Sequence, residues 1–280
     1  SDIRPDWIWI KERSSTSSHR IVDSSRGGTK GLTSDTAAGE DTANFITFGA
    51  SDGFTLTDYN GGTNQDTITY VAWQWKANGS AGTIAHGLGS TPQVIITKDR
   101  GATENWIMHH HTLGATFIMR MDDTAAKVDA ASYNDTLPTS TVFSVDDGGN
   151  NQSGNTYVSY CFAEKQGYSK FGKYNGNNNA DGAFVYTGFK PALLILKNID
   201  DAVDWYIFDN KRDTDNAVQN IIHPNKSDAA SDSTVCDFLS NGFKFRTADN
   251  AWNGASDNYI YMAFAESPFV SSKGVPTTAR

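Results

Sequence analysis

With 280 residues and a formal net charge of −9, the chain exceeds the size at which a single hydrophobic core usually stops growing, and it lacks the cation excess that nucleic-acid phosphates require. No apolar run is long enough to cross a membrane as a helix, and two cysteines, Cys161 and Cys236, are too few for a disulfide framework. Gly, Asn, Ser, Thr and Asp abound, aromatic residues make up 12%, and no segment carries a long apolar face at helical period, so the composition predicts an all-β fold with very little helix.

The first predicted strand lies in "PDWIWIK" at 5–11. It returns as "PQVIITK" at 92–98 and "PALLILK" at 191–197, each with a Pro and a Lys six positions apart. A second strand begins eight residues beyond each Lys, in "HRIVD", "WIMHH" and "WYIFD", at His19, Trp106 and Trp205. Further on, "DGFTL", "TVFSV" and "NGFKF" each centre on a Phe (54, 143, 243). Each Phe precedes a polar loop and a long aromatic strand containing Tyr70, Tyr157 or Tyr259. Equal spacings at three places predict three copies of one β-unit, over 1–81, 82–166 and 167–280.

Strands such as "WIWIK" and "LLILK" are apolar on both faces, which places them centrally in sheets covered on each side. The pattern predicts tandem antiparallel sandwiches joined end to end by linkers near 77–83 and 165–170, in preference to a three-bladed ring. "YSKFGKYNGNNNADGAFVYTGFKP" reads as a hairpin leading into the third copy. The second copy keeps half of it and the first only "SDIR", as though cut just before its Pro.

Catalytic signatures are scarce. No HExxH, CxxC or P-loop occurs. The pairs Asp122-Asp123, Asp146-Asp147 and Asp200-Asp201 fall in predicted turns, where Asp bonds its own backbone. "MHHHTLG" offers His109 and His111 as weak metal candidates if they share a strand face. The competing reading makes His110 the counterpart of Asp23 and Asp209 at a strand end. "NGNNNADG" and "DDGGNNQSGN" resemble calcium loops loosely but lack a bidentate Glu; hairpin turns account for them equally well, and bound calcium is the alternative. No cofactor is expected. A sugar site needs an aromatic ring in a polar loop. Trp252 with Asn253 in "TADNAWNGASD", and Tyr59 with Asn60 in "TDYNGG", are the candidates for it.

Taken together, "VDSSRGGTKGLTSD", "TYVAWQWKA", "HGLGSTP", "YCFAEKQGYSKFG", "YTGFKP" and the closing "IYMAFAESPF" resemble a known family. It is the uncharacterised repeat domain of virion structural proteins in tailed phages, many of them marine. The resemblance implies a non-catalytic tail- or capsid-fibre protein, assembled in the host cytoplasm and carried on the particle. It further implies trimerisation, contact with other virion proteins and attachment to a host-surface glycan or receptor, without membrane insertion. A purely structural decoration protein and a polysaccharide depolymerase are the alternatives.

Overall fold

The computed structural model describes residues 4–14, 16–49, 53–56, 85–146, 150–152 and 155–266, and the backbone of 70–75, 269–270 and 276–277. Among them the only helical elements are two three-residue 3-10 turns, His111–Leu113 and Ala131–Tyr133; the rest is antiparallel sheet and loop.

Each predicted copy contains the same three-stranded unit. A lead strand (Trp7–Glu12, Val94–Asp99, Leu193–Asn198) lies between a return strand (Arg20–Asp23, Ile107–His110, Trp205–Asp209) and a closing strand (Tyr70–Trp75, Tyr157–Phe162, Asn258–Phe264). The register is identical throughout: Trp7 faces Asp23 and Trp75, Val94 faces His110 and Phe162, and Leu193 faces Asp209 and Phe264. A slip of one residue would turn each apolar row to the wrong side, so shared register is a strong mark of a repeated unit.

Alternation along the lead strands sends side chains into two different cores. Trp7, Trp9, Val94, Ile96, Leu193 and Ile195 meet in one central core built by all three copies. Their neighbours face outward into a private core for each copy: Ile8 and Ile10 in the first, Ile95 in the second, Leu194 and Leu196 in the third. Doubly apolar strands are thus covered on both faces, as their sequence predicts.

The end-to-end arrangement is overturned by this shared centre. Trp7 lies 5.0 Å from Tyr160 of the second copy, and Phe162 lies 6.2 Å from Phe264 of the third, measured between ring centroids. Two sets of equivalent hydrogen bonds then close a cycle. Trp106 Nε1 donates to Thr33 O (2.9 Å), Trp205 Nε1 to Arg120 O (2.8 Å), and His19 Nε2 bonds His223 O (2.9 Å). In the second set Glu40 N donates to Arg100 O (2.9 Å), Lys127 N to Ile199 O (2.9 Å) and Ala230 N to Arg13 O (3.1 Å). Copy two leans on copy one, three on two, and one on three. The copies form a pseudo-threefold ring whose middle is filled with side chains.

The hairpin before the third copy also differs from expectation. Ser169–Asn175 pairs with Asn258–Phe264, whereas Phe184–Tyr186 pairs with Gly242–Phe245. The two strands enter opposite layers of one sandwich, because Phe171 is needed in the central core and Val185 in the outer one. Residues 165–170 are a turn and the start of a strand rather than a linker; 77–83 lie outside the described residues.

The repeated Lys has a structural role. Lys11, Lys98 and Lys197 are fully buried, and their ammonium groups donate to Glu12 O (2.5 Å), Asp99 O (2.7 Å) and Asn198 O (2.6 Å). Lys98 and Lys197 also reach Ala102 O and Asp201 O, each at 3.1 Å, and so tie the turn after the lead strand to its end. Burial lowers the proton affinity of all three, Lys197 to about 8, because a charged ammonium is costly away from water.

Candidate binding surface

The histidine cluster does not form a shared site. The return strand ends at His110, and a 3-10 turn starts at His111. His109 packs edge-on against Tyr133 in the second copy's private core, and burial pushes its pKa down to about 4. His111 Nε2 instead meets Phe171 O (3.1 Å) at the seam with the third copy. The common face on which His109 and His111 would have been metal candidates is therefore absent. His110 takes the register position of Asp23 and Asp209, as the alternative reading had it. Among the described residues no group of three His, Cys, Asp or Glu side chains is placed to hold a metal.

The loop aromatic is also not free. Trp252 is half-buried against the outer core of copy three, its ring 5.1 Å from that of Tyr206, and its carbonyl accepts from Tyr174 Oη (2.7 Å). Asn253 is fully buried. Its amide nitrogen donates to Asn177 Oδ1 (2.7 Å), Asn179 O (2.9 Å) and Thr247 O (2.7 Å), and its Oδ1 accepts from Asn177 N (3.0 Å). With all of this capacity used inside the protein, Asn253 is a bolt between two loops and no ligand contact. Tyr59 and Asn60 lie outside the described residues. We expect Trp252→Ala to cost about 2 kcal/mol in chemical denaturation, less than a fully buried Trp because part of the ring is already in water. Unchanged stability would return this ring to the list of surface contacts.

Turn carboxylates and amides are likewise occupied. Asp122 accepts from Asn105 Nδ2 (3.2 Å) and Trp106 N (3.1 Å), Asp123 from Ala125 N (2.8 Å), and Asp200 from Asn258 N (2.9 Å). Asn177 Oδ1 and Asn179 Oδ1 close successive turns by accepting from Asn179 N (3.1 Å) and Asp181 N (2.9 Å), so the loop that resembled a calcium site is a run of side-chain-closed turns between two layers. A shallow recess of about 320 Å³ between Arg212 and Gln219 is lined by polar groups. Its Asp213 is consumed by Gln219 N (2.9 Å), Asn220 N (2.7 Å) and Asn220 Nδ2 (2.5 Å). Both cysteines are free thiols, and burial pushes Cys161 up to about 12, where it is inert.

Among the described residues the exposed large apolar side chains are Leu137 and Val142 in the second copy and, in the third, a pair of rings that sequence reading passed over. Phe184 and Tyr186 keep 47% and 65% of their area exposed, while Val185 between them is buried. They stand on one face of an edge strand in the outer sheet of copy three. Phe184 is in register with Lys244, whose Nζ lies 2.6 Å from Asp181 Oδ1. Two residues along, Arg246 Nη2 lies 2.5 Å from Asp237 Oδ2. The alternation of "FVY" carried the signal, but strand aromatics are more often core, and no cue in the sequence marks the strand as an edge.

A family model described as a domain of unknown function, DUF7483, matches residues 1–83 and again 77–268. The chain belongs to the DUF7483 family. No curated protein and no solved structure matches it. The two matches to this DUF7483 chain meet near the boundary between the first and second copies. Its surface presents apolar ring area next to paired charges on the edge of a sheet.

Proposed function

We propose that this DUF7483 chain is a non-catalytic attachment module of a tailed-phage appendage, adhering to a glycan on the host surface. The observation that carries the reading is the Phe184–Tyr186 pair, held in water on a sheet whose other large apolar side chains are mostly packed away. Keeping two aromatic rings exposed is unfavourable unless something covers them, and exposed aromatic patches commonly mark interaction sites. The sequence resemblance to virion repeat domains supplies the setting, in which several weak shallow sites gain avidity by being displayed together. Trimerisation belongs to the same proposal, by analogy with phage fibres.

A second reading, an assembly or decoration protein, draws on the same strand: its outer edge has no strand partner among the described residues and offers backbone groups to another subunit. A glycan array probed with the fluorescently labelled protein separates the two. Specific retention on a set of glycans is expected; a blank array at millimolar ligand would transfer the surface to the assembly reading. Release of reducing ends from a retained polysaccharide would instead make the protein a depolymerase.

A further inference from the structure

Phe184 and Tyr186 are supported by glycines that let their rings lie close to the sheet. A β-carbon on Gly242, the cross-strand partner of Tyr186, would sit 3.0 Å from Phe184 Cε2 and 2.1 Å from Val185 O. A β-carbon on Gly188, which already needs a positive φ of 85°, would meet Tyr186 Oη at 3.6 Å. A larger residue at Gly242 would press on the strand and the Phe184 ring, whereas at Gly188 the β-carbon would only touch Tyr186 and the positive φ is what favours glycine. The strand rise separates residues i and i+2 by about 6.7 Å, the scale of neighbouring sugar rings in a chain.

The surrounding charges select the ligand. Lys244, Asp181, Arg246 and Asp237 form a row of alternating sign beside the rings. Asp181 keeps 77% of its side chain exposed, and Lys244 and Arg246 hold it from one side. Such pairs retain spare donors and acceptors for hydroxyl groups, which can bridge carboxylate and ammonium without disturbing either. The row carries no net charge, and the whole chain is acidic, so a polyanionic chain would gain no attraction here. Two partly exposed rings also fall far short of the roughly 1,000 Å² that a stable protein interface buries. The flat C–H face of a pyranose needs only one ring, whose negative π-face attracts the polarised C–H groups.

We infer that Phe184 and Tyr186, flanked by Asp181 and Lys244, form a platform for a neutral pyranosyl chain, two successive sugars stacking on the two rings. This rests on the attachment reading above and gives it a site and a ligand class.

The test compares the wild-type protein with Phe184→Ala, Tyr186→Ala and Tyr186→Phe on an array bearing both neutral and acidic glycans, with dissociation constants then measured by calorimetry for the strongest neutral hit. Retention on neutral glycans is expected, with each alanine variant weakened about tenfold and Tyr186→Phe, which keeps the ring, within about threefold of wild type. Circular dichroism of Tyr186→Ala should match wild type, since that side chain is mostly in water. Neutral hits that both alanine variants bind undiminished, or retention on acidic glycans alone, would overturn the platform and leave attachment standing. A blank array would remove both.

Discussion

Acidified from pH 7 to pH 4, the protein is expected to unfold in one cooperative step, with a midpoint well above that of carboxylate titration alone. The cause is a set of buried neutral histidines. Trp9 Nε1 donates to His19 Nδ1 (2.8 Å), so the ring proton sits on Nε2 and is donated to His223 O across the seam (2.9 Å). A second proton on Nδ1 would point at the tryptophan N–H. Burial, then the nearby Lys11 charge, hold His19 down to about 3; burial, then His111, hold His110 down to about 3 as well. His109 is held to about 4. An unfolded imidazole titrates near 6.5. Between that value and about 3 the unfolded chain binds protons that the native state refuses, so stability rises with pH across the window and is lost as pH falls through it. Each pKa unit is worth about 1.4 kcal/mol. At pH 4 the three groups together therefore cost on the order of 10 kcal/mol, comparable to the whole stability of an ordinary domain. Asp23 adds to the loss at the lower end: burial opposes its ionisation, but Arg26, Ser25 and Tyr160 hold its pKa below the usual carboxylate range. Tryptophan fluorescence in denaturant titrations at each pH is the measurement, and a stability unchanged between pH 7 and pH 4 would show that these rings accept protons inside the fold. His110→Gln, which cannot charge, should move the midpoint to lower pH.

Much of this fold was legible in the sequence, and the parts that were not share a physical reason. The threefold repeat showed itself because side-chain identity marks it: Pro and Lys recur at one spacing, and the Lys recurs because each lead strand needs a buried donor at its end. Coverage on both faces followed from doubly apolar strands. Ring closure left no such mark. The acceptors at the three seams are the backbone carbonyls of Thr33, Arg120 and His223, which any residue supplies. The donor at the third seam is a His where the other two copies have Trp, so the equivalent position did not announce an equivalent bond. Trp252 was misplaced because the ring that buries it, Tyr206, comes from a strand remote in sequence. Asn253 read as a surface amide because its partners lie in the loop at 177–179. Phe184 and Tyr186 were hidden by the opposite error, since a strand aromatic is core unless the strand happens to be an edge.

A ring and a string of sandwiches respond differently to the loss of one tryptophan. Trp205 is 1% exposed, sits in the central core, and donates to the second copy. Trp205→Ala removes a large buried ring and leaves Arg120 O without its partner, for an expected loss of about 4 kcal/mol; Trp205→Phe, which sacrifices mainly the hydrogen bond, should cost about 1–2 kcal/mol. The informative quantity is where the loss is felt. In a linear array each unit contacts only its neighbours, so the first copy, two units away, would keep its own stability. In the ring the third copy also supports the first, through His223 and Ala230, and all three share one core. Hydrogen exchange of Trp7–Glu12 should therefore accelerate in Trp205→Ala by the same factor as that of Val94–Asp99 and Leu193–Asn198. By the same reasoning a chain ending at residue 166 should fail to fold, because Trp7 and Phe162 would face water where Phe264 and Met262 now cover the centre. Independent melting of the copies, or a first copy whose amides stay protected in the variant, would break the ring and restore the string.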